Sequence, residues 1–68
     1  MRELDVVKLI NDFQNLRAGT EGTIVLEYDG TCFEVEFFDD EGDTIDVLTT
    51  PAEVLELIQN TKFGFFFY

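Results

Sequence analysis

One dipeptide constrains this chain more than any other feature. Asp29-Gly30 stands between T-I-V-L-E-Y (residues 23–28) and T-C-F-E-V-E-F-F (residues 31–38), two stretches rich in β-branched and aromatic residues. Asp-Gly accepts the positive φ angles of a tight hairpin turn, so these stretches are predicted to pair as antiparallel strands. A two-residue loop sets Tyr28 opposite Thr31, and then Leu26 opposite Phe33, Ile24 opposite Val35 and Gly22 opposite Phe37. Those residues share an apolar face. On the other face the same register sets Val25 against Glu34, Glu27 against Cys32 and Thr23 against Glu36. A slip by one residue would turn the apolar set outward.

A second hairpin follows from the same logic. Pairing Phe37 with Ile45 and Val35 with Val47 continues the apolar face and leaves Asp40-Glu41-Gly42 as a three-residue loop. Gly42 then falls where such loops need a left-handed residue. This register places Glu36 directly opposite Asp46 on the outer face, an arrangement that costs stability. Ahead of the hairpins, L-D-V-V-K-L-I (residues 4–10) reads as a first strand broken by Asn11-Asp12. Residues 13–20 read as a long loop with Phe13 and Leu16 as apolar anchors, entering the next strand through G-T-E-G.

Beyond residue 49 the pattern admits two readings. Thr50 is placed to cap, Pro51 suits a first helical position and Glu53 completes a capping box. The following V-L-E-L-I (residues 54–58) either continues a two-turn helix, to which its periodicity leans, or forms a fifth strand entered through one 3₁₀ turn. Three clear strands, one before them and an element after them are too few for a two-sheet sandwich. Closing the sheet into a small barrel removes the edges a lone meander would expose.

With 68 residues, the chain holds one domain, and one of this size buries only about 60% of the surface its unfolded form exposes. Eight Phe and two Tyr supply large buried areas. The lone Cys32 excludes an internal disulfide, and one Cys without any His provides no structural zinc site. The same shortage removes Cys–His and Ser–His–Asp nucleophile systems, and no phosphate-binding Gly-Lys loop is present. The expectation is a non-enzymatic protein without cofactor or metal. The acidic run Asp39, Asp40, Glu41, Gly42, Asp43 lacks the spacing of a calcium loop and is read as a turn. Cys32, set beside Glu27 in the first hairpin's register, is not read as a reactive thiol.

The net charge of −11 comes from fifteen acids against four bases. Such a charge disfavours direct nucleic-acid binding and anionic membranes, and favours salt-sensitive association with a basic protein. It also keeps a Phe-rich protein soluble. Met1-Arg2-Glu3 leads into a strand pattern without an apolar leader, so the expected compartment is cytoplasmic. The candidate partner surface is Glu27, Glu34, Glu36 and Asp46, joined by the turn acids Asp39, Asp40, Glu41 and Asp43. The end of the chain carries Phe63, Phe65, Phe66, Phe67 and Tyr68. An unpacked patch of that kind is large; it folds back on the barrel, docks a partner or assembles copies of the chain. The expected organisation is a domain over 1–60 and an aromatic tail over 61–68.

E-L-D-V-V at 3–7, G-x-x-G-T-I-V at 19–25, F-E-V-E-F at 33–37 and D-x-x-G at 39–42 together resemble a family of small bacterial domains of unknown function. The likeness spans about residues 3–58. It implies a mainly β, five-stranded SH3-like barrel, with a 3₁₀ turn near 50–53 and residues 54–58 as the closing strand. It also implies a protein-binding role of the antitoxin or immunity kind. Two other readings are nucleic-acid mimicry against a nuclease, and a structural homo-oligomer built through the aromatic tail.

Overall fold

A computed structural model describes residues 1–59. Five strands form one antiparallel sheet: β1 (Val6–Leu9), β2 (Glu21–Glu27), β3 (Cys32–Phe38), β4 (Thr44–Pro51) and β5 (Leu55–Gln59). The spatial order is β4-β3-β2-β1-β5, so the first strand lies between the second and the last. This is the expected SH3-like arrangement. Its barrel is curled around one core but not closed by hydrogen bonds, and among the described residues β4 and β5 are its edges.

The ambiguous segment resolves as strand. A 3₁₀ turn over Ala52–Val54 reverses the chain and β5 follows at once, pairing Leu55 with Leu9 and Leu57 with Val7. The helix suggested by periodicity does not form, because Leu55 has a place in the core beside β1 that two isolated helical turns could not offer. The expected capping box fails with it. Pro51 is the residue before the turn, no side chain caps it, and Thr50 belongs to β4, buried, with its hydroxyl donating to Leu48 O at 3.0 Å.

Among the described residues the core is one cluster of Val7, Leu9, Leu16, Ile24, Phe33, Val35, Phe37 and Leu55, with Phe13, Leu48, Ala52 and Val54 packed on it. Alternation explains it: along β3, Phe33, Val35 and Phe37 point in while Cys32, Glu34 and Glu36 point out. The long 10–20 connection is anchored where its apolar residues predict. Phe13 and Leu16 exchange two backbone hydrogen bonds of 2.9 Å across a tight turn, which brings Leu16 onto the core. The first strand is shorter than the 4–10 pattern implies, because residues 2–5 form a turn in which the buried Asp5 carboxylate accepts the Arg2 N–H at 2.9 Å.

Each hairpin departs from its simple register by one bulge. The first turn has three residues rather than two: Tyr28 N donates to Cys32 O, and Asp29 Oδ1 receives the N–H and the hydroxyl of Thr31. Near this turn Leu26 therefore lies opposite Glu34, and Glu27 opposite Phe33. A bulge at Val25 absorbs the extra residue, and Ile24–Val35, Thr23–Glu36 and Gly22–Phe37 pair as expected. The second hairpin errs the other way. Its turn is as expected, with Gly42 at φ +86°, Gly42 N donating to Asp39 O and Asp39 N to Asp43 O. A bulge at Ile45 then shifts the rest, so Phe37 faces Asp46, Glu36 faces Val47 and Val35 faces Leu48. The pairs Leu26–Phe33, Val25–Glu34, Glu27–Cys32, Phe37–Ile45, Val35–Val47 and Glu36–Asp46 do not occur. Bulges increase local twist and bend a strand, which a sheet this small needs to wrap its own core.

The candidate partner surface

The bulges redistribute the acids. Glu34 and Glu36 stay on the outer face of β3 as expected, half-buried among their cross-strand neighbours. Glu34 stands between Leu26 and Thr49, and Glu36 between Thr23 and Val47. Each carboxylate is fixed by a threonine of β4: Thr49 Oγ1 donates to Glu34 Oε1 at 2.7 Å, and Thr44 Oγ1 to Glu36 Oε2 at 2.6 Å. Leu26 and Val47, each more than two-fifths exposed, flank the pair. The outer face is thus an alternation of fixed carboxylates and open aliphatic side chains.

Glu27 and Asp46 leave that face. Glu27 pairs with Phe33, and Asp46 with Phe37, both partners being core-facing residues. The repulsive Glu36–Asp46 pair predicted from the simple register is absent, and with it the stability cost it would carry. Asp46 instead turns its carboxylate to the next residue, Oδ1 accepting the Val47 N–H at 2.8 Å. Among the described residues β4 is a sheet edge, and this carboxylate occupies one of its backbone donors.

The turn acids are brought together but do different work. Asp39 is structural: its Oδ1 accepts the N–H groups of Glu41 and Asp43, each at 2.9 Å. Asp40, Glu41 and Asp43 are exposed. Beside this turn a shallow groove runs between residues 15–23 and 38–45, with Leu16, Phe38 and Ile45 as its apolar wall and Glu21, Asp40 and Arg17 on its lining. Among the described residues no group of three potential ligands is placed to hold a metal ion. Lys8 and Glu56 form an exposed ion pair at 3.8 Å on the β1–β5 side, away from the Glu34–Glu36 face. Asp29 is held below the ordinary aspartate range, first by the Thr31 hydroxyl and then by the Thr31 N–H. A carboxyl held in its ionised form suits a turn anchor rather than an acid catalyst.

Residue identities alone gave no sign of Thr44 and Thr49 as carboxylate partners, or of Asp46 as an edge group. Their roles depend on which residues sit opposite one another, and so on the bulges. The tail residues, positions 63 and 65–68, lie outside the described residues, as does any contact they make.

The fold and surface define a small antiparallel β domain with an acidic, partly apolar outer face. Residues 3–57 match the family described as Domain of unknown function (DUF4926), and the chain belongs to that family. Neither the curated proteins nor the solved structures contain a match. Among the described residues no helix is long and apolar enough to cross a membrane.

Proposed function

We propose that the protein is a non-catalytic binding module that takes a basic protein partner on the outer face of β2, β3 and β4. The observation that carries this reading is the pair Glu34 and Glu36, each oriented by a threonine hydroxyl and set beside exposed Leu26 or Val47. Carboxylates merely keeping a surface wet have no need of fixed rotamers, since a free side chain is hydrated equally well and retains its entropy. Fixed acids beside open aliphatic groups match a surface of Lys or Arg interleaved with apolar residues. The excess of negative charge supports rapid, salt-sensitive encounter with such a surface. Neutralising a basic toxin, in the manner of an antitoxin or immunity protein in the cytoplasm, is the biological setting this chemistry suits.

The test is co-expression with the product of the adjacent gene and affinity capture through this chain. Glu34→Lys with Glu36→Lys is expected to lower capture by about tenfold or more, with the far-ultraviolet spectrum and thermal midpoint confirming a folded variant. Undiminished capture by the folded double variant would remove this face as the site.

A further inference from the structure

The edge of β4 is a second feature of the same region. β4 spans Thr44–Pro51 and, among the described residues, pairs with β3 alone, so within residues 1–59 one side of its backbone is open. Ile45 and Val47 are each 47% exposed along it. Natural proteins blunt such edges with bulges and charges to prevent pairing with copies of themselves. Both devices are present here. Ile45 is bulged, and Asp46 places its carboxylate on the Val47 N–H at 2.8 Å.

A charge guards an edge conditionally, unlike a proline, which removes the donor altogether. A second copy of this chain would bring its own Asp46 and its own net charge of −11 to the contact, and is repelled. A cationic strand meets the opposite situation. Its Lys or Arg pairs with the Asp46 carboxylate and draws it off the edge, leaving the Val47 N–H to the incoming backbone. The apolar residue next to the cation then lies against Val47. We infer that the β4 edge accepts an extended, alternating basic–apolar segment of a partner protein as an added strand, gated by Asp46. This rests on the proposed role of the acidic face, which would stand beside the added strand, but it makes a separate demand: backbone hydrogen bonding.

That demand gives the test. The isotopically labelled full chain is titrated with acetyl-Lys-Val-Lys-Val-Lys-Val-Lys-amide and with the same peptide N-methylated at alternate residues, which keeps the charge and removes strand donors. The expected result is that the parent peptide shifts the Val47 amide resonance and slows its hydrogen exchange. N-methylation should weaken binding about tenfold or more, and Asp46→Asn should weaken it without unfolding the chain. Equal affinity for both peptides, with shifts confined to Glu34, Glu36 and their neighbours, overturns the edge proposal and leaves the acidic-face reading intact. Absence of binding by either peptide overturns the edge proposal and counts against the face as well.

Discussion

Gly22 shows how much of this fold rests on single atoms. It pairs with Phe37 in the middle of the sheet, and a Cβ there would lie 2.7 Å from Glu36 O and 2.7 Å from Val35 Cγ1. One of those neighbours is backbone in a paired strand and cannot move aside without breaking the β2–β3 ladder. Gly22→Ala should therefore destabilise the domain by about 1–3 kcal/mol, the usual penalty of overpacking a core, read as a lower urea midpoint with an unchanged slope. Asp29 makes the pH-dependent prediction. Its folded pKa is depressed by Thr31, so its contribution is present above the unfolded value and lost as pH falls through the folded one. The carboxyl should titrate below an ordinary aspartate by carbon-detected NMR. Thr31→Val should move that midpoint up toward the ordinary value, and no movement would exclude the hydroxyl as its cause.

At the scale of elements, the strands were legible because alternation and turn chemistry agree. Phe33, Val35 and Phe37 announce their burial by spacing, and Gly42 announces a left-handed turn position. Gly42 has open space around its Cα, so Gly42→Ala should cost only the conformational strain of a positive φ, about 1 kcal/mol. A thermal midpoint shift larger than that of Gly22→Ala would contradict this contrast between strain and crowding. The bulges were not legible. Val25 and Ile45 are ordinary strand residues, and nothing local distinguishes them from their paired neighbours. Such bulges suit the curling of a small sheet around its core, a property of the whole domain. Likewise, 54–58 carries a helical period, yet docking beside β1 selects the strand. The candidate surface inherits this division. Glu34 and Glu36 are legible as outer-face residues because β3 alternates without interruption, whereas Glu27 and Asp46 lie beyond bulges that pair them with core-facing residues.

For the whole molecule, charge outweighs every other surface property. A net charge of −11 on 68 residues is strong self-repulsion. Raising ionic strength from about 0.02 to 0.5 M shortens the screening length from roughly 20 Å to about 4 Å. The thermal midpoint should rise over that range, while affinity for a basic partner falls. Opposite signs from one variable would tie both effects to the same carboxylates. A midpoint that falls with salt would show that attractive pairs, not repulsion, dominate the surface. The acidic face itself depends on the two bulged registers, and cross-strand nuclear Overhauser contacts between backbone protons read those registers directly. Contacts should join Glu36 to Val47, and Glu34 to both Leu26 and Thr49. Contacts joining Glu36 to Asp46 and Phe33 to Leu26 would instead establish the unbulged registers, and would return Glu27 and Asp46 to the outer face.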